Sequence, residues 1–178
     1  MIQDNGNRRE FETGAVRDVS EGKGRCDLLP LGEVSELVDC KALEYVNMFV
    51  RDGNPKWLHD AIIEFCAETR MDIYTTLLEV SKHFEEGCKK YGERNWEKGI
   101  PLHCYIDSGV RHCLKYLRGD IDERHDRAFV WNMLCAMWTA ENRSKCADLP
   151  FNRPVCGIET ESDKIVCGIE TETEGVAW

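Results

Sequence analysis

The chain has 178 residues, room for one ordinary domain with extensions that buries well over half of its unfolded surface. Its formal net charge of −10 argues against general nucleic-acid binding, because a duplex binder needs a basic surface that releases counterions. A local cluster of Arg and Lys inside an acidic protein still admits a small anionic ligand.

No apolar run approaches the roughly 18 residues of a membrane span, and Met1 to Glu10 lacks the apolar core of a signal peptide, so the expected location is the cytoplasm, away from membranes. The 10 cysteines form no C-x-x-C pair and several fall on helical apolar stripes; reduced, buried side chains are the expectation.

Residues 1–12 are polar and read as a flexible N-terminus. Gly14 to Pro30 is rich in Gly and charge, has neither helical nor strand periodicity, and reads as an extended arm. A helix is expected from Glu33 to Val50, ending near Asp52-Gly53. Asn54-Pro55 then offers an N-cap and a proline suited to the first turn of a helix carrying Leu58, Ile62, Phe65 and Cys66 on one face.

The strongest periodicity runs from Asp72 to Tyr91, where Ile73, Leu77, Val80, Phe84, Cys88 and Tyr91 form a stripe that stops at Gly92. At about 100° per residue, Glu85 borders this stripe and is the carboxylate expected to face a cleft, with Glu86 in solvent. Between Pro101 and Leu117, Ile106, Val110, Cys113, Leu114 and Leu117 mark a core side. Tyr105, Gly109, His112 and Tyr116 mark a second side that lines a pocket or packs on a neighbour.

After the acidic turn Gly119 to Glu123, the segment to about Ala140 is apolar nearly all round, so its helix is expected to be central, with His125 and Asn132 on one face. A buried Asn132 needs a ligand, a metal-bound water or a polar network. The region 143–178 reads as an acidic tail in which Val155-Cys156-Gly157-Ile158-Glu159-Thr160-Glu161 recurs as Val166-Cys167-Gly168-Ile169-Glu170-Thr171-Glu172, too few copies for a solenoid. The expected fold is all-α, with four to five helices over 13–142.

Packing rules leave one stretch unexplained: Tyr91-Gly92-Glu93-Arg94-Asn95-Trp96-Glu97-Lys98-Gly99, followed by Arg111-His112 and Trp131-Asn132. Aromatic faces stack on flat bases while Arg and Lys donate to phosphate oxygens, so this combination suggests a nucleotide pocket. Gly22-Lys23-Gly24-Arg25 offers backbone N–H groups and cations to phosphates, or is a plain surface loop. Glu85 with Asp120, Asp122 and Glu123 supplies oxygens for Mg²⁺ or Mn²⁺, or is a solvated acidic surface. His125-Asp126 invites an HD-type phosphohydrolase reading, but adjacent helical residues diverge and Asp126 leaves the face of His125.

Together these residues resemble the phage and bacterial dATP/dGTP diphosphohydrolase domain family. The matching text is Gly14 to Asp18, Glu21 to Pro30, Phe84 to Gly92 running into Arg94 to Gly99, Asp107 to His112, Gly119-Asp120 with Asp122, His125, and Trp131-Asn132. It spans roughly residues 13 to 139, while Leu37 to Leu78 adds helical sequence that shorter members largely lack.

The resemblance implies a helical pyrophosphohydrolase, akin in chemistry to MazG-like enzymes, that splits a purine deoxynucleoside triphosphate into dNMP and pyrophosphate. In a phage setting it would remodel the nucleotide pool of the host cytoplasm. MazG-like E-x-x-E and E-x-x-D motifs do not stand in a convincing place, and Glu85 with Asp122, helped by Asp120, is the nearest substitute for binding Mg²⁺ or Mn²⁺. Under this reading Arg17, Lys23, Arg25, Lys90, Arg94 and Arg111 neutralise the triphosphate. Trp96 or Tyr91 stacks on the base, Asn95 or Asn132 reads its edge, and His112 or His125 carries a proton. A homo-oligomer is expected. The alternatives are a purine-nucleotide-binding protein without catalysis, an HD-type phosphohydrolase, and a structural oligomer.

Overall fold

The computed structural model describes residues 6–152. The duplicated segments 155–161 and 166–172, with Cys156 and Cys167, lie outside the described residues. Six α-helices dominate: α1 (Leu31–Val38), α2 (Lys41–Asp52), α3 (Lys56–Glu68), α4 (Ile73–Tyr91), α5 (Leu102–Arg118) and α6 (His125–Asn142). The fold is all-α, with one small addition. Strands β1 (Arg8–Glu10) and β2 (Val16–Asp18) pair antiparallel, Arg9 opposite Arg17, so part of the segment expected to be loose forms a hairpin.

The single helix expected over Glu33 to Val50 is two helices, which raises the count above the four to five expected. Asp39 takes a left-handed conformation (φ 49°) and the Cys40 N–H donates to Ser35 O, closing α1. Glu68, from the end of α3, accepts the Lys41 N–H at 2.7 Å and supplies negative charge at the start of α2. A tertiary cap therefore sets the break, and local periodicity does not carry it. At the next junction Asn54 Oδ1 accepts the Lys56 N–H at 3.1 Å, and Pro55, rather than the expected Asn54, is the residue that caps α3, already in helical conformation (φ −62°, ψ −17°).

Helix α6 is central: Phe129, Val130, Met133 and Ala136 are buried against Tyr105, Ile106, Val110 and Cys113 of α5. Gly109 allows this close approach, since a Cβ there would sit 2.3 Å from Met133 Cε. Leu43, Val46 and Phe49 of α2 and Leu58, Ile62 and Phe65 of α3 join the same core. The Phe65 and Phe129 rings stand 4.5 Å apart, and each buried side chain of this size contributes roughly 1.5–3 kcal/mol.

Helix α4 lies on α6 at the edge of the domain. Thr76 and Val80 are its buried residues, while Leu77 and Leu78 are exposed and Cys88 faces solvent. Of the cysteines within the described residues, Cys40, Cys66, Cys104, Cys113, Cys135 and Cys146 are buried, and all eight there are free thiols. None of the helices among the described residues is long and apolar enough to cross a membrane.

Candidate functional site

A cavity of about 370 Å³ opens between the hairpin, α4, the turn at Asn95–Lys98, α5 and α6. Arg9, Arg17, Lys23, Arg94, Arg111 and Lys115 border it, as do the aromatic rings of Phe84, Tyr91, Trp96 and Trp131 and the carboxylates of Asp18, Asp107 and Glu123.

The hairpin is fastened to this wall by specific bonds. Asn95 accepts the Val16 N–H and donates to Val16 O, both at 2.8 Å, so its amide extends the sheet like a third strand. Arg17 donates to Asn132 Oδ1 at 3.1 Å and lies 5.2 Å from the Tyr105 ring centroid and 5.8 Å from that of Trp131. Arg111 pairs with Asp107 and donates to the carbonyls of Lys23 and Gly24 at 3.2 Å, while Asp107 accepts the Cys26 N–H. The extended arm is thus folded over α5 by an ion pair that also lines the cavity.

Among the described residues, seven buried side-chain atoms lack a hydrogen-bond partner; five of them, Arg9 Nε, Arg17 Nη1, Asp18 Oδ1, His83 Nδ1 and Trp131 Nε1, belong to residues bordering the cavity, and Arg127 Nε and Thr139 Oγ1 do not. Each such group costs about 1–3 kcal/mol while unsatisfied, so their convergence on one cavity points to a polar ligand there. Burial, and then the nearby Arg127 charge, pushes His83 down to about 4, which keeps its ring neutral at neutral pH.

On the far side, His112 Nδ1 stands 2.9 Å from His125 Nδ1. Burial and the neighbouring His125 press His112 down to about 3. His125 Nε2 lies 2.7 Å from Asp122 Oδ1, and this bond, with that of Lys115, holds Asp122 down at about 2. Glu123 Oε1 is 3.5 Å from His112 Nδ1 and 3.6 Å from His125 Nδ1.

The cavity gathers Arg17, Lys23, Tyr91, Arg94, Asn95, Trp96, Arg111, His112 and Asn132 of the expected residues. Others stand elsewhere. Lys90 sits behind the wall with its Nζ 2.6 Å from Asp18, and His125 sits behind His112. Arg25 turns to Asp27 and does not border the cavity. Asp120 is held by Arg118, and Asp122 by Lys115 and His125.

Glu85 is a correction. It is exposed and paired with Lys89, whereas Glu86, expected in solvent, receives two 2.9 Å hydrogen bonds from buried Arg127. The inward face of α4 includes His83, Phe84 and Gly87, which border a polar cavity, so apolar periodicity places the face about one residue away from where it is. Glu85 consequently stands apart from Asp120 and Asp122, whose carboxylates lie with His125 within 4.8 Å of one another. Asp126 pairs with Arg124 and borders a separate small cleft with Glu79, away from His125's partners.

Sequence reasoning gave no site role to Arg9, His83 or Lys115, considered Glu123 only as an oxygen ligand for a cation, placed Trp131 in the expected pocket without a specific role, and named Asp18 without one. A buried side-chain atom lacking a partner has no signature in one sequence; Asp18 and Trp131 did stand inside the matching text.

No curated protein and no solved structure matches the chain. Residues 68–149, which carry α4, α5 and α6 and hence three walls of the cavity, match the family described as dATP/dGTP diphosphohydrolase, N-terminal.

Proposed function

We propose that the protein hydrolyses dATP or dGTP to the deoxynucleoside monophosphate and pyrophosphate in the cavity beneath the hairpin. Water attacks the α-phosphorus, and the bond from that phosphorus to the α–β bridging oxygen breaks. The supporting observation is the convergence of unpartnered buried donors on Arg9, Arg17, His83 and Trp131 with further cationic side chains around one aromatic-walled space.

In this reading the guanidinium and ammonium groups of Arg9, Arg17, Lys23, Arg94 and Arg111 hold the triphosphate and stabilise charge that builds on it. Tyr91 and Trp96 flank the base. The Asn95 amide is occupied by Val16 and the Asn132 amide by Arg17 and Ala128, so reading of the base edge falls to Trp131 Nε1 and His83 Nδ1. Of the two histidines expected to carry a proton, only His112 borders the cavity.

A divalent cation, Mg²⁺ or Mn²⁺, supplies charge neutralisation and orientation of the phosphates when bound. Mg²⁺ is ordinarily held by one or two carboxylates together with substrate phosphates, and buried, unpartnered Asp18 Oδ1 fits that requirement. The reading includes self-association, for which exposed Tyr74, Leu77 and Leu78 on one face of α4 offer surface; sedimentation velocity tests it.

Turnover of dATP and dGTP with Mg²⁺ by wild type and by Arg17→Ala tests the assignment. The expected result is turnover in the wild type and its loss in the variant. Equal turnover in both would remove the cavity from the reaction, and tight binding without turnover would favour a nucleotide-binding protein.

A further inference from the structure

We propose that His112, His125 and Glu123 form a binding site for one divalent transition-metal ion of the Zn²⁺ class in the cavity wall, separate from any Mg²⁺ arriving with a nucleotide. The three ligand atoms, His112 Nδ1, His125 Nδ1 and Glu123 Oε1, are separated by 2.9, 3.5 and 3.6 Å. A tetrahedral ion with bonds of about 2.0–2.2 Å has ligand-to-ligand edges of about 3.3–3.6 Å. Two edges fall in that range, and the third requires the histidine rings to part by a few tenths of an ångström.

The donor set selects the metal. Two imidazoles and one carboxylate suit Zn²⁺, Co²⁺ or Mn²⁺, whereas Mg²⁺ and Ca²⁺ prefer oxygen ligands throughout. The scaffold is rigid: His112 comes from the middle of α5, His125 from the first turn of α6, and Glu123 from the turn before it.

Asp122 completes the arrangement from behind. Its Oδ1 lies 2.7 Å from His125 Nε2, so a proton held on Nε2 leaves the Nδ1 lone pair directed toward His112 and Glu123. Metal-binding histidines are oriented by such carboxylates as a rule. Asp120 lies on this outer side and is engaged by Arg118.

Three protein ligands leave a fourth position. His112 and Glu123 border the cavity and His125 does not, so that position opens toward the cavity, within the same wall as Arg111 and Lys115. A water or a phosphate oxygen could fill it.

Titration of metal-stripped full-length protein with Co²⁺ tests the site without any nucleotide, so its failure is distinguishable from failure of the proposed hydrolysis. The expected result is one equivalent of Co²⁺ giving the visible d–d absorption of a tetrahedral nitrogen and oxygen site, displaced by Zn²⁺. That absorption is lost in His112→Gln and in Glu123→Gln, and Asp122→Asn weakens Co²⁺ binding on the order of 10–100-fold. Circular dichroism of each variant separates loss of a ligand from loss of the fold. A spectrum dominated by thiolate charge transfer, or one unchanged in folded His112→Gln and Glu123→Gln, would overturn the proposal.

Discussion

Arg17 Nη2 lies 3.1 Å from Asn132 Oδ1, and through this bond a residue of the second hairpin strand is held against the central helix. The Asn132 amide also donates to Ala128 O at 2.8 Å, so its orientation is fixed before any ligand arrives. One Arg17 nitrogen is anchored while Nη1 remains buried and unpartnered, which presents a preorganised donor to the cavity.

Replacing Asn132 by Leu leaves Arg17 without its anchor and buries a charged group beside an apolar side chain. The expected outcome is a loss of about 1–3 kcal/mol in stability, read by chemical denaturation. Nucleotide affinity should fall as well, read by calorimetry. An unchanged affinity would show that the anchor does not organise the site.

Asn95→Ala removes both bonds that tie Val16 to the turn after α4. Faster hydrogen exchange at the Val16 amide is expected, with α5 and α6 amides unaffected. Equal protection at Val16 in both proteins would mean that the hairpin is held by other contacts.

Arg25 and Arg111 look interchangeable in sequence but differ in the structure. Arg25→Ala strands Asp27, whose side chain is only 3 % exposed, and should lower stability, but Arg25 does not border the cavity and nucleotide binding should stay intact. Arg111→Ala strands Asp107, which is nearly buried, and releases the carbonyls of Lys23 and Gly24. It should lower both stability and nucleotide affinity, measured side by side with Arg25→Ala.

His103 and Asp148 predict a pH dependence of stability. The hydrogen bond to Asp148, helped by Cys104, raises His103 from 6.5 to about 10. Burial pushes Asp148 up, but the bonds from His103 outweigh it and the carboxyl is held below its ordinary 3.8. The histidine's contribution is complete below pH 6.5 and fades as pH rises toward 10; the aspartate's is present above 3.8 and fades as pH falls through its lowered value. The melting temperature of wild type should therefore exceed that of Asp148→Asn most between pH 4 and 6.5. The difference should close on approach to pH 10.

The helices were legible where apolar periodicity and capping chemistry coincide, as at Asn54-Pro55 and along α5 and α6. The break at Asp39 was not, because its cap comes from Glu68 on another helix. The gathering of Tyr91, Trp96, Arg111, His112 and Asn132 followed from residue chemistry that packing left unexplained. Glu85 failed because the cavity-facing residues of α4 include His83 and Gly87 beside Phe84, Cys88 and Tyr91, and period counting sees apolar residues alone. The role of Asn95 was hidden too, since pairing with Val16, 79 residues away, is a tertiary fact.

The central claim is tested most directly by incubating purified protein with each dNTP and Mg²⁺ or Mn²⁺, resolving nucleotides by chromatography and assaying pyrophosphate separately. The account predicts dAMP or dGMP with an equal amount of pyrophosphate from the purine substrates. Deoxynucleoside with inorganic triphosphate, or no product from any dNTP, would contradict it.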